Sequence, residues 1–339
     1  MQAKVFLFLI LSINANFLFG NYTDSIKITG KPLFLIYSNF HKGISEAAKE
    51  SNFDVKRAYL GYDFNLNNGF RAYIKIDIGS PDDNSQYSLI RRTAFLRSVG
   101  INYKQKNFNI DFGIIDNIQH KIQERFWGKR YIFKSFLDEY RFFSSTDLGM
   151  NASYNINKKL CVEAGMMNGE YLSNMNGFQK YIYSIGINYI PTKKINLKIF
   201  SSYTGKTHDN FTSGVFAGFN ALENLKIGAE FNTRYELKAE ANYHTYGYSI
   251  IALYKINEKF NLFARHDALN SNIIDGNTIP WNLSKNGTAI IGGLEFKANE
   301  NVRMSINYQD WYPMAANMNN KAYIYFNLEF GIFESHKRI

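Results

Sequence analysis

Positive charge is concentrated between residues 117 and 146. Lys121, Arg125, Lys129, Arg130, Lys134 and Arg141 stand there against Glu124, Asp138 and Glu139, an excess of three positive charges with histidine neutral. Guanidinium and ammonium groups perform no covalent chemistry alone. In a narrow wet space they hold phosphate or carboxylate oxygens, raise the local anion concentration and repel cations. Arginine is the better planar, bidentate partner. Arg57, Lys75 and Arg97 lie near the middle of three successive candidate strands, and Lys198 and Arg265 occupy comparable depths further along. Together they could continue a basic track. Arg97 shares the parity of Phe95, Val99 and Ile101, so it joins them only if a bulge reverses its direction. The competing reading makes all of these ordinary wall residues, paired with Asp63, Asp77, Asp111, Glu163, Glu230 and Asp267.

Signals for catalysis are weaker. The six histidines (41, 120, 208, 244, 266 and 336) are scattered, and none pairs with another at metal-ligand spacing. His266, Asp267 and Ser305 supply the residue types of a hydrolytic triad, but at unmatched depths. No glycine-rich phosphate loop, nucleophile elbow or zinc signature is present. The single cysteine, Cys161, allows no intramolecular disulfide and reads as a small wall residue. The expectation is a protein that is not an enzyme and needs no cofactor.

The elements that must position the cations repeat about every twenty residues from Leu33 to Phe333. About ten residues alternate apolar and polar, and a turn follows. Every second turn is short and rich in Asn and Lys, as at Asn65–Asn68, Lys104–Asn107, Asn157–Lys159 and Asn257–Lys259. The remaining connections are longer. Short turns on one side and long loops on the other mark an all-β, up-and-down antiparallel transmembrane barrel. The spacing predicts about sixteen strands, with cores near 33–40, 53–65, 69–79, 93–104, 107–116, 147–156, 159–168, 178–190, 194–203, 212–221, 224–234, 245–256, 259–268, 287–297, 301–311 and 322–333. In the third, Phe70, Ala72, Ile74, Ile76 and Ile78 oppose Arg71, Tyr73, Lys75 and Asp77; in the fifth, Phe108, Ile110, Phe112 and Ile114 oppose Asn109, Asp111 and Gly113. A soluble sandwich also alternates, but its polar face meets bulk water. In a barrel the apolar face meets lipid, and the polar face lines a hydrated lumen. The segment 117–146 is the longest connection and the third external one. Its six aromatics between Phe126 and Tyr140 need a dry surface, which predicts a loop folded inward as a constriction rather than a cap over the mouth.

Residues 1–20 read as a secretory signal peptide: Lys4, an apolar run at Val5–Leu11, then small or turn-prone residues to Gly20. The barrel domain is then 21–339. No later run of apolar residues is long enough for a membrane helix. A mean hydropathy of −0.30 fits a membrane protein only if alternate residues face lipid. The 29 Phe and 24 Tyr suit interfacial belts, and 5 Pro suit strands. A net charge of +10 without a nucleic-acid motif points to anionic solutes or to lipid and lipopolysaccharide headgroups, in the outer membrane of a Gram-negative cell.

Several segments resemble the phosphate-selective porin superfamily: Val55–Tyr62, Asp77, Met167-Asn168-Gly169-Glu170, Phe263-Ala264-Arg265-His266-Asp267, and Tyr131–Asp138 in the third loop. The resemblance is patchy over about 50–300. It implies a sixteen-stranded homotrimeric porin with an inward third loop and a lumen ladder of Arg and Lys, in which Arg57, Lys134 and Arg265 are the best positional matches. Glu124, Asp138 and Glu139 depart from the pattern by diluting the loop's charge, and Glu334–Ile339 follow Phe333 where such barrels commonly end on an aromatic. The expected function is passive diffusion of small hydrophilic, preferentially anionic solutes such as phosphate or carboxylates. Rival readings are a surface adhesin using 269–286, and a barrel hydrolase using His266.

Overall fold

The structure is a computed structural model that describes residues 28–78, 94–169, 181–205, 209–238 and 241–332. The signal peptide expected at 1–20, the loop at 80–92, most of that at 169–177 and the chain end from Phe333 lie outside these residues. Sixteen strands follow in order: β1 (Thr29–Gly43), β2 (Ser51–Asn65), β3 (Phe70–Ile78), β4 (Ala94–Gln105), β5 (Phe108–Asp116), β6 (Thr146–Asn155), β7 (Leu160–Met167), β8 (Ile182–Thr192), β9 (Ile195–Thr204), β10 (Asp209–Asn220), β11 (Leu225–Lys238), β12 (Ala241–Lys255), β13 (Phe260–Ser271), β14 (Gly287–Lys297), β15 (Val302–Pro313) and β16 (Lys321–Ile332). Two short helices, α1 (Lys121–Trp127) and α2 (Phe136–Glu139), lie between β5 and β6. Each strand pairs antiparallel with its sequence neighbours, and β1 pairs with β16 from Phe34↔Ile332 to Gly43↔Tyr323, which closes the barrel.

The short turns owe their asparagines to local backbone capture. The Asn157 side-chain oxygen accepts from the Lys159 and Leu160 N–H groups at 2.8 and 3.0 Å, and Asn257 does the same for Lys259 and Phe260 at 2.9 Å each. An asparagine that bonds its own backbone two residues on ends one strand and starts the next without needing solvent.

The outer face is mostly apolar, with a few small polar side chains such as Ser201 and Ser213, which bond each other at 2.9 Å. Phe112, Ile185, Ile199, Val215, Ile250 and Ile306 are among its exposed side chains. Charged side chains such as Asp77, Glu295 and Glu329 point inward. Two bulges adjust this alternation. The register shifts between Tyr37 and Ser38, so that Tyr37 pairs with Arg57 and Ser38 with Val55, which leaves Lys56 as an extra residue. It shifts again between Lys75 and Ile76, whose partners are Ser98 and Leu96, which leaves Arg97 extra.

The lumen differs from the open aqueous channel that strand number alone suggests. Residues 117–146 lie inside it, and their aromatic side chains are buried against the wall. Trp127, Tyr131 and Ile132 join Leu35, Tyr37, Tyr59, Ile251, Phe263 and Ile291 in one apolar cluster. Phe136, Leu137, Phe142 and Phe143 join Phe200 and Leu269 in a second. Lumen-facing residues at this level, Asn232, Ser249 and Asp267, have no accessible surface. The wall behind the segment is packed and dry.

The two faces predict opposite tolerances. Phe112→Lys on the outer face of β5 is expected to destabilise the barrel by about 2–4 kcal/mol. A lysine at the inward Asn109 of the same strand should stay within about 1 kcal/mol. Urea titration of liposome-embedded protein by tryptophan fluorescence reads both.

Candidate functional site

The inward segment is seated by shape as well as by bonds. Gly218 of β10 pairs with Gly228 of β11, and a methyl group on either would stand 2.6 Å from the Phe126 ring. Gly247 of β12 gives the same room to Phe136, again at 2.6 Å. The glycines are notches in the inner wall, and the loop aromatics fill them. Helix α1 carries Phe126 and stops at Gly128, whose left-handed backbone (φ 61°) lets its N–H cap the Glu124 carbonyl at 2.8 Å.

Polar latches reinforce this seat. Lys129 donates to Glu295 of β14 at 2.6 Å, and the Tyr131 hydroxyl donates to the same carboxylate at 2.8 Å. Arg303 of β15 forks onto Glu329 of β16 with two bonds of 2.7 Å and donates to the Gly128 carbonyl at 2.9 Å. Arg265 forks onto Asp267 at 2.8 and 2.7 Å, donates to the Lys134 carbonyl at 2.7 Å, and lies over the rings of Trp127 and Phe133. Gln119 donates to Ser184 and Ser202 at 2.7 Å each, and Lys198 bonds Glu163 at 2.9 Å as well as the Ile118 carbonyl. Removing one member of such a buried pair leaves an uncompensated charge, at a cost of about 3–5 kcal/mol. The segment is therefore held as a fixed part of the barrel.

Most cations singled out from the sequence are used in these contacts or in neighbouring ion pairs. Arg57 pairs with Asp77. Arg97 faces inward because it is the bulge residue, and it reaches Ser145 at 3.1 Å and Asp116 at 3.6 Å. Lys75 lies 5.3 Å from the centre of the Tyr59 ring. Arg130 bonds Glu124 at 3.0 Å and Asp138 at 2.5 Å. Arg125 and Arg141 are exposed, with Arg141 in a left-handed backbone conformation (φ 56°). Lys121 and Lys134 form no ion pair among the described residues. Arg57, Arg97 and Arg130 all lie within electrostatic reach of Asp77. Each is thus paired with an acid: Arg57 with Asp77, Arg97 with Asp116, and Arg130 with Glu124 and Asp138. Accessible polar groups remain along this part of the wall: Arg71 is 49% exposed, Asp63 37% and Asp116 59%.

Sequence reasoning missed Lys56, Glu295 and Arg303. Lys56 enters the lumen through the β2 bulge, where its ammonium meets the Ile132 carbonyl at 3.4 Å and the Tyr325 ring. Glu295 and Arg303 had a signal in their inward parity, but the loop residues that they meet lie far away in sequence. The residue types of a hydrolytic triad are not brought together. His266 pairs with the outward Ile250 and Ile290 and stacks on Tyr248, whereas Asp267 and Ser305 face the lumen.

Two outcomes follow from the seat. Gly228→Val should dislodge Phe126, make 117–146 cleavable by added protease and raise single-channel conductance, while Phe126→Ala in the same chain should restore protection. The second concerns His120, which is buried in the segment and meets the Ser135 hydroxyl at 3.5 Å. Burial, the largest influence, pushes its imidazole below the ordinary value and keeps it neutral, although Asp138 and Glu124 pull the other way. The unseated segment binds a proton on His120 near pH 6.5, and the seated one does so only at lower pH. The seat is therefore fully stable above about pH 6.5 and weakens as the pH falls through this window. Protease protection of 117–146 should drop between pH 7 and 5, and His120→Asn should flatten that drop.

Comparison with known proteins places this geometry. Residues 143–292 match a family model described as "Putative beta-barrel porin-2, OmpL-like". No curated protein sequence matches. Among solved structures, the outer membrane channel DcaP of Acinetobacter baumannii is similar over 93% of this chain and 100% of its own, at 10% identity and a TM-score of 0.69. A loop L8 deletion mutant of the Vibrio cholerae outer membrane protein OmpT aligns over 90% and 99%, at 11% identity and a TM-score of 0.68. An anion-selective porin from Comamonas acidovorans aligns over 90% and 100%, at 10% identity and a TM-score of 0.67. With its apolar outer wall, polar interior and sixteen closed strands, the chain has the fold of a porin-type β-barrel.

Proposed function

We propose that the protein is a passive outer-membrane porin for small hydrophilic solutes with a modest preference for small anions, and that solutes pass between residues 117–146 and the wall of β3–β5. The observation that carries this reading is the one-sided filling of the lumen. The segment packs against β8–β15 and β1 and reaches β2 through Tyr59 and Lys56, while Lys75 and Arg97 stand on the remaining wall beside accessible polar groups. Charge pairing at this level tempers selectivity, because each paired arginine offers a solute less net field than a free one. The preference for phosphate or carboxylate oxygens then rests on the loop's excess of three positive charges, with Lys121 and Lys134 forming no ion pair among the described residues. The Comamonas relative is described as anion-selective, and one form of Vibrio cholerae OmpT is described as a trimer. Both descriptions support an anion-preferring channel that assembles as three copies.

Reversal potential across a KCl gradient in a planar bilayer tests the reading. The wild type should favour chloride, and Lys121→Glu with Lys134→Glu should shift the potential toward cation preference without lowering conductance more than about two-fold. Unchanged selectivity in that variant would remove the loop's charge from the account. Absence of conductance from folded barrels would remove the porin reading.

A further inference from the structure

The rim formed by the short turns, which is the periplasmic one in outer-membrane barrels, is not uniform. Lysine pairs stand at three consecutive short turns: Lys104 and Lys106 at the end of β4, Lys158 and Lys159 after β6, and Lys193 and Lys194 after β8. All six are exposed, and their ammonium groups bond to no acid among the described residues. The later turns each carry an acid, although Lys259 beside the Lys255–Glu258 pair leaves one cation over. Lys255 bonds Glu258 at 2.5 Å, Lys297 bonds Glu300 at 2.8 Å, and the turn after β10 carries Glu223.

The outer wall above the unbalanced turns is also distinctive. Two neighbouring apolar grooves run there, with volumes of about 690 and 650 Å³. Alanine pairs facing lipid, Ala152↔Ala164 and Ala217↔Ala229, make it shallow where neighbouring positions carry large side chains. Ile187, Ile199, Val215 and Phe231 line both grooves and form the ridge between them. The first groove begins at Phe108 and Tyr154, beside the turns after β4 and β6. The second begins at Tyr189 and Leu197, beside the turn after β8.

We propose that this sector of the outer wall binds an anionic diacyl phospholipid of the periplasmic leaflet, with its two acyl chains in the paired grooves and its phosphate against the lysine pairs. The grooves lie at hydrocarbon depth, above the aromatic residues that mark the interface, where chains rather than solutes are available. The lysines lie just beyond that boundary, within a Debye length of headgroup phosphates, where each adds to the attraction for anionic lipid. The site is on the opposite face of the wall from the solute passage, so its test is independent of the conduction reading.

The purified full-length barrel, given equal amounts of phosphatidylglycerol and phosphatidylethanolamine with identical acyl chains, should retain phosphatidylglycerol about ten-fold more in native mass spectra. Replacing Lys158, Lys159, Lys193 and Lys194 by Gln should bring retention of the two lipids close to equal. Ala164→Trp, which fills a groove without touching charge, should lower retention of both. Heat-modifiable gel mobility shows that each variant is folded. Equal retention by the wild type, or an unchanged preference in the glutamine variant, would overturn the headgroup assignment. Undiminished retention in Ala164→Trp would overturn the grooves, and a loss of oligomer mass in that variant with lipids unchanged would reassign the face to a second copy.

Discussion

A chain that crosses hydrocarbon as strands must satisfy every backbone N–H and C=O within the sheet, because lipid offers no partner. That constraint requires the closure between β1 and β16. Closure in turn fixes which side of each strand meets lipid, and it leaves an interior to be filled, hydrated or both. The apolar outer wall and the charged inner wall are consequences of one hydrogen-bonding requirement.

The interior is divided between packing and polarity. Glycine notches at Gly218, Gly228 and Gly247 and the latches at Glu295, Arg303 and Arg265 hold residues 117–146 against one side. Aromatic rings do much of the filling, and cations lie over several of them, as Lys129 does over Phe263 and Arg303 over Tyr131. Such contacts let a charged side chain enter a dry space while keeping part of its electrostatic stabilisation. Many positive residues in this lumen therefore serve the architecture, and the charge available to solutes is smaller than the residue count implies.

All sixteen strands were legible in the sequence because lipid demands a strict two-residue alternation and because Asn-rich turns punctuate it. Boundaries were least legible where strands run past the membrane into loops: β12 begins at Ala241, ahead of the 245 suggested by alternation. Parity failed at bulges. Arg57 shares the parity of the outward Phe53 and Val55 and still enters the lumen, because Lys56 is an extra residue. It also failed to anticipate the inward apolar side chains of Phe200, Phe216, Ile251, Phe263 and Ile291, since these face the loop and not water. Their partners are remote in sequence. Lys129 meets Glu295 across 166 positions, a pairing that no local pattern encodes. The cationic residue types were readable, but their pairing was not.

The central claim is that solutes pass along β3–β5 and that the other side of the lumen is closed. Cysteine modification during single-channel recording tests it directly, in a Cys161→Ser background that removes the natural thiol. Lys75→Cys lies beside the proposed passage, and Ser249→Cys lies on the inaccessible wall. A charged methanethiosulfonate reagent should reduce current in discrete steps for Lys75→Cys and leave Ser249→Cys unchanged. Block through position 249 with none through position 75 would contradict the account.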